Sequence, residues 1–399
     1  MKDKKITVLA EKCVSCPSKP CQIGCPLDND IPAFIKEIKN NNYQEAFNIL
    51  SSTSILMPIC GRICPHQKQC EGACGKREKA AKNVAIGNLE AFIGDLWLKK
   101  DWSFPVLPIN NKKVAIIGGG PAGLTCATFL RKNGYNVTIY ERHNYLGGLL
   151  VHGIPDFRLP REIIEKVTNN IINLGIDVKY NHTLGKNISL KKLKKEYDAI
   201  FLGIGANISN KLNIIGESLE NVYGANELLE EKPKIYYKNK TYAVIGGGNT
   251  AMDVARTIKR KGARVIVVYH KPSSVMPAIK KEIRAAKREG VEFLFSTDII
   301  KIIGKNKVKK IVLKDNAETY ELKCNYLIKA IGSHPDDIVK KLRIAKNGSN
   351  IKIDGEGRTS DSKIFAGGDV AGNRATVAWA SRAGRNAAYS IIKYLNIDK

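Results

Sequence analysis

The sequence has no apolar stretch behind its first residues and no apolar run long enough to cross a bilayer. Met1-Lys2-Asp3-Lys4-Lys5 leads into neither a hydrophobic region nor a small-residue cleavage site. No signal peptide, no membrane span and a cytoplasmic location are therefore predicted. Acidic residues are scarce: 38 Asp and Glu against 65 Lys and Arg leave a net charge of +27. A basic surface attracts phosphate. Here, however, the lysines are spread along the whole chain (Lys191-Lys192, Lys194-Lys195, Lys280-Lys281, Lys309-Lys310). No aromatics interleave them and no nucleic-acid motif accompanies them, so nucleic acid is not an expected partner. The excess reads as solvated basic faces, suited at most to docking an acidic electron-carrier protein. Histidine is sparse too, at 6 residues, and no nucleophile–base pair stands out among them, so no catalytic side chain is assigned.

Cysteine is what the chain does have. Ten cysteines without an export signal do not read as disulfides. Most of them precede residue 75, in two groups: Cys13-x2-Cys16-x4-Cys21-x3-Cys25-Pro26 and Cys60-x3-Cys64-x5-Cys70-x3-Cys74. Spacers this short bring several thiolates to a common point. Zinc is the plain alternative, and with it a scaffold or redox-sensing regulator that binds a dinucleotide without turnover. The number of cysteines, and the proline after both Cys25 and Cys64, point instead to 4Fe–4S clusters. Cys126 and Cys324 stand alone and read as buried hydrophobes.

A chain of 399 residues suggests two or three domains. Residues 1–105 form a cysteine-bearing helical unit: Pro32 suits a first helical turn, Phe34, Ile35 and Ile38, then Ala46, Phe47 and Leu50, recur at helical spacing, and a further helix is expected over 84–98. Asp101–Lys112, with Pro105 and Pro108, reads as a linker. From Lys113 short apolar runs alternate with helices, as in a parallel sheet. An internal repeat, VAIIGGGPAGL at 114–124 and YAVIGGGNTAM at 242–252, marks two nucleotide-binding units. The first resumes after the second, at IFAGGDVAGN (364–373). The expected architecture is therefore α/β: two Rossmann-like dinucleotide-binding domains, one inserted in the other, behind an α-helical two-cluster iron–sulfur domain. The expected bounds are 113–231 with 336–399 for the first and 232–335 for the second.

Gly118-Gly119-Gly120-Pro121-Ala122-Gly123 satisfies G-x-G-x-x-G between a strand and a helix, so the backbone can approach a pyrophosphate at the helix N-terminus. Glu141, at the end of the next strand, can bind ribose hydroxyls. In Gly246-Gly247-Gly248-Asn249-Thr250-Ala251, alanine takes the third glycine position. His270 and Lys271 stand where the ribose-binding acid is missing, which suits a 2′-phosphate. The economical pair of ligands is FAD at the first site and NADPH, or NADH, at the second. A flavin turns a two-electron input into the single electrons that clusters accept.

With these elements in order, the chain resembles the family of the glutamate synthase small subunit. The same module forms the N-terminal half of dihydropyrimidine dehydrogenase and the flavin subunit of NADH-dependent ferredoxin:NADP oxidoreductases. The segments CGRICP, CEGAC, IGNLEAF, GGLLVHGIPDFRLP, YDAIFLGIGA, AIGSHP and FAGGDVAGN carry the likeness. The resemblance implies one cluster on Cys13, Cys16, Cys21 and Cys74, and a second on Cys25, Cys64, Cys70 and Glu90. Glu90 alone would read as a surface glutamate, and Cys60 is left as a non-ligand. Implied flavin contacts are Gly123, Glu141, Gly148, Leu149 and Arg158, with Gly368 and Asp369. Implied nucleotide contacts are Gly247, Gly248, Asn249, Thr250, His270 and Lys271, with Ala330 and Gly332 of AIGSHP. Many relatives carry two arginines in place of His270-Lys271. The implied function is an electron-input subunit, passing electrons from NAD(P)H through FAD and two clusters to a larger catalytic subunit or redox protein. An electron-bifurcating subunit that works with ferredoxin is the alternative the resemblance allows. Nothing in the chain supplies an amidotransferase cysteine, an FMN barrel or a pyrimidine site, so a partner is expected to be needed.

Overall fold

The structure is a computed structural model that describes residues 2–75, 84–231, 235–372 and 375–396; Asn373, which closes the FAGGDVAGN segment, lies outside the described residues. Asp30 caps the helix Ile31–Lys39, its side chain accepting from Ala33 N at 3.2 Å. Pro32 sits in the first turn, where its missing N–H costs nothing. Phe34, Ile35 and Ile38 face inward from this helix, and Ala46, Phe47 and Leu50 from the next, Tyr43–Ser51. Phe47 stacks on Trp97, with ring centroids 6.0 Å apart. Trp97 ends the helix Ile86–Trp97, which lies within the span expected from sequence. That helix packs closely on Met57–Ile63 because each carries glycine at the crossing. A Cβ on Gly61 would lie 2.4 Å from Ala91 N, and one on Gly94 2.5 Å from Pro58 N.

Two compact units emerge: Met1–Val151 with Asp156–Gly205 and Asp337–Lys399, and His152–Pro155 with Ala206–Asp336. The first holds these helices and a parallel sheet in the order Ile364–Ala366, Ala199–Leu202, Lys113–Ile117, Asn136–Tyr140, Asp177–Lys179. The chain enters at the central strand Lys113–Ile117, fills one side, then returns to the other. Val114 to Ile117 and Ala199 to Leu202 are buried, as expected of a parallel sheet covered on both faces. Ligands of such sheets bind beyond the strand ends where the order reverses.

The second unit repeats that order with Val222–Gly224, Tyr326–Lys329, Thr241–Ile245, Arg264–Tyr269 and Glu292–Phe295, all parallel. Tyr242, Val244, Val254, Ile258, Val265 and Val267 form part of its core. Three antiparallel strands, Asp298–Gly304, Val308–Lys314 and Thr319–Lys323, belong to it as well. Residues 206–231 group with this unit because Val222–Gly224 is its edge strand. Since 206–336 falls between two stretches of the first unit, one nucleotide-binding fold is inserted in the other. Among the described residues, no helix is long and apolar enough to cross a membrane.

Candidate functional site

Strand Lys113–Ile117 ends at Gly118, whose φ is +100° and where a Cβ would lie 2.6 Å from Gly203 O, so only glycine fits. Gly120 caps the helix Pro121–Lys132, and a Cβ there would meet nothing within 4 Å. The unpaired N–H groups of that first turn, at Ala122 and Gly123, thus border open space of the kind an anion fills. A Cβ on Gly123 would lie 1.9 Å from Gly118 O, so helix and turn are in contact. Glu141 follows strand Asn136–Tyr140 and is buried. Its carboxylate accepts from Gly119 N at 2.7 Å and from His143 N at 2.9 Å, which holds the acid beside the turn. Gly148 comes close to Gly120, a Cβ falling 3.2 Å from Gly120 Cα, and Leu149 opens the short helix Leu149–His152. A Cβ on Gly368 would lie 3.0 Å from Ala122 Cβ, which brings Asp369 to the same helix start. Burial pushes the Asp369 carboxyl up to about 6. The fold thus gathers Gly118–Gly123, Glu141, Gly148, Leu149, Gly368 and Asp369. None of these approaches involves Arg158, which is half-buried in the segment beyond.

The second unit rebuilds this turn with one change. A Cβ on Gly246 would lie 2.3 Å from Ala330 O, Gly248 caps the helix Asn249–Arg260, and a Cβ on Gly248 meets nothing within 4 Å. Asn249 accepts through Oδ1 from Ile279 N at 2.9 Å, while Thr250 is exposed. Gly247 packs against the ring of Tyr269, the last residue of strand Arg264–Tyr269. His270 and Lys271 follow directly and are exposed, so bases stand where the first unit has buried Glu141. Gly332, with φ +97°, lies by Asn210, one side of the loop that Ala330 begins.

All ten cysteines are free thiols. Cys13, Cys16, Cys21 and Cys74 line a single cavity walled by apolar side chains such as Ile31 and Ile35. Burial, then repulsion from Cys74, pushes the Cys21 thiol up to about 11. The other donors form a separate group. Burial, then repulsion from Glu90 and, more weakly, Cys64, pushes Cys25 up to about 12. Cys70 is raised well above the thiol range by burial and then by Glu90, Cys25 and Cys64. Glu90 itself is 6% exposed, pushed up to about 8 by burial, and its Oε1 is buried with no hydrogen-bond partner. A buried, unpartnered carboxylate oxygen facing thiols is costly in a bare protein and is the donor set a metal centre uses. Both sets therefore fit a cluster. Cys60 is buried one helical turn before Cys64 and shares a hydrogen bond with it.

Two features escaped the sequence. Residues lining the second thiol group come from the helix Val377–Asn396: Ala378 N–H donates to Cys64 Sγ, and Arg382 and Arg385 donate to the chain after Cys25. The burial of Glu90 had no local signal either.

Comparison with known proteins adds the following. Residues 112–384 match the family model described as pyridine nucleotide-disulphide oxidoreductase, and residues 1–102 match that of dihydropyrimidine dehydrogenase domain II, 4Fe-4S cluster. The second match sets zinc aside as the metal of this unit. The chain is 32% identical to the glutamate synthase [NADPH] small chain of Escherichia coli, over 97% of this chain and 91% of that one. It is also 32% identical to the Salmonella typhi homolog of the NAD-dependent dihydropyrimidine dehydrogenase subunit PreT, over 97% and 93%. Among solved structures, Mycobacterium tuberculosis FprA in complex with NADPH shares the fold over 72% of this chain and 85% of that one, with a TM-score of 0.64 at 19% identity.

Proposed function

We propose a function from one premise: the chain belongs to the pyridine nucleotide-disulphide oxidoreductase family. It is an FAD- and iron–sulfur-dependent NAD(P)H oxidoreductase with an electron-input role. When bound, the flavin exchanges a hydride for single electrons and 4Fe–4S clusters carry those electrons one at a time.

The chain's own residues bind, orient and screen. In our reading Gly118, Gly120 and the helix start Pro121-Ala122-Gly123 hold the flavin's pyrophosphate, Glu141 its ribose, and Gly148, Leu149, Arg158, Gly368 and Asp369 the remainder. Gly247, Gly248, Asn249 and Thr250 hold the nicotinamide nucleotide's phosphates, with Ala330 and Gly332 across the turn. His270 and Lys271 take a 2′-phosphate, so NADPH is the preferred donor. Hydride transfer needs stacking geometry rather than a protein acid or base, and no side chain is given that task.

Two clusters, rather than one, are the finer part of this reading. The observation that carries it is the separation of two donor sets: a cavity lined by Cys13, Cys16, Cys21 and Cys74, and a buried group of Cys25, Cys64, Cys70 and the orphan Glu90 carboxylate. The electrons leave to a partner redox protein or larger catalytic subunit. Support comes from relatives whose names make them a small chain and a subunit. Purified under anaerobic conditions, the chain should carry about eight irons and one FAD, and NADPH should bleach it. A colourless chain, or one holding zinc, would defeat the proposal.

A further inference from the structure

Arg385 is a buried cation without a carboxylate. It is 9% exposed, and its Nη1 donates to two backbone carbonyls, Leu27 O at 2.8 Å and Thr53 O at 2.9 Å. Among the described residues it forms no ion pair, and burial pulls its guanidinium below the usual arginine range. Carbonyl dipoles alone compensate a desolvated guanidinium poorly, and buried charges are normally paired. The charged and titratable groups that bear on it are Tyr389, Arg382, Asp28 and Cys25. Of these, Arg382 repels it and Asp28 is exposed and not hydrogen-bonded to it. Cys25 is the group that a bound cluster would make anionic.

Arg382 reaches the same loop. Its Nη1 donates to Pro26 O at 3.1 Å. That carbonyl and Leu27 N–H belong to one peptide unit, and Leu27 N–H donates to Cys25 Sγ, as does Asn29 N–H. The unit therefore takes a cation at its oxygen and gives a hydrogen bond to the thiol sulfur at its nitrogen. Polarised this way, the N–H···S bond is stronger than an isolated one.

We infer that Arg382 and Arg385 are the counter-charge of the second cluster, and that they raise its reduction potential. The inference rests on Cys25, Cys64, Cys70 and Glu90 being the ligands of one cluster. Such a cluster is an anion in both oxidation states and gains negative charge on reduction. Nearby fixed positive charge and hydrogen bonds to sulfur then favour the reduced state. Both arginines stand on Val377–Asn396, a helix of the flavin fold, so the fold that holds the flavin also tunes this cluster.

The test is an EPR-monitored redox titration, with iron analysis, of the holo-chain and its Arg385→Met, Arg385→Lys and Arg382→Met variants. The second cluster is identified as the one whose signal Glu90→Ala alters. Its midpoint should fall in both methionine variants, shifting the ratio of reduced to oxidised cluster about ten-fold at fixed potential, which is about 59 mV. Arg385→Lys should restore most of that shift, and the other cluster's midpoint should stay put. An unchanged midpoint at full iron content overturns the inference. So does an equal fall in Arg385→Lys and Arg385→Met, which would mark a packing role. If Arg385→Met fails to accumulate, Arg382→Met and Arg385→Lys still decide it. A wild-type chain with about four irons and one signal would instead defeat the two-cluster reading beneath it.

Discussion

The backbone N–H of Ala378 donates to Sγ of Cys64, so the first turn of the helix Val377–Asn396 ends on a thiol of the N-terminal helical region. The same helix begins a few residues after the Gly368–Asp369 turn, which stands at the proposed flavin site. The Cys64 set is thus in contact with the last helix of the flavin fold, and we take it as the point of electron entry, ahead of the Cys13 set. In Glu90→Ala chains whose iron content shows that the cluster of the Cys64 set is lost, NADPH should therefore no longer reduce the cluster on Cys13, Cys16, Cys21 and Cys74, while dithionite should still do so. Rapid-mixing EPR checks this. Reduction by NADPH at the wild-type rate would place the entry point elsewhere.

Gly120 and Gly248 separate folding from ligand binding. Each has extended backbone, at φ −78° and −84°, and open space where a Cβ would go. Alanine is sterically free at both until a phosphate arrives. Gly120→Ala should keep the wild-type unfolding transition of the apoprotein but lose flavin, and Gly248→Ala should raise KM for NADPH with flavin retained. By contrast, Gly123→Ala drives a methyl into Gly118 O and should cost stability itself, about 1–3 kcal/mol. A stability loss in Gly120→Ala matching that of Gly123→Ala would contradict the assignment.

In the proposed function nucleotide choice is assigned to His270 and Lys271, exposed beside the Gly246–Gly248 turn. A charge-assisted contact to a 2′-phosphate is worth about 1.5–3 kcal/mol, or roughly ten-fold or more in affinity. The expected kcat/KM therefore favours NADPH over NADH, and changing both residues to Ala should erase most of the difference. Equal values for the two nucleotides in the wild type would refute it.

A pH-dependent stability should come from Glu289. Burial opposes its charge, but hydrogen bonds from Arg256 and Arg260 outweigh that and hold its carboxyl at about 2. A carboxyl depressed on folding stabilises above its unfolded pKa, and the benefit is lost as pH falls from the usual glutamate range through about 2. Glu289→Gln should lower stability near neutrality by on the order of 2 kcal/mol. Its gap to wild type should close in acid. Cluster loss at low pH is common to both chains and drops out of the comparison. A gap that is constant with pH would assign the effect to packing.

Much of this was legible in the sequence because the chemistry is local. The two glycine turns need residues at fixed offsets between a strand and a helix, and Glu141 follows the strand after the first turn. The thiol groups were legible for the same reason. Glu90 was not, because its burial depends on a helix crossing made close by Gly61 and Gly94, and nothing around IGNLEAF reports that. The arginines were hidden further still. More than 350 residues separate Arg385 from Leu27, and an arginine on a long helix reads as solvent-facing until the fold brings the two together.

The central claim is a single chain holding one FAD and two clusters that NADPH can reduce. An anaerobic NADPH titration of the purified wild-type chain, followed by EPR with iron and flavin quantified on the same sample, tests it most directly. The expected result is about eight irons per flavin and two distinct cluster signals. About four irons per flavin with a single signal, or clusters that NADPH leaves oxidised while it bleaches the flavin, would contradict it.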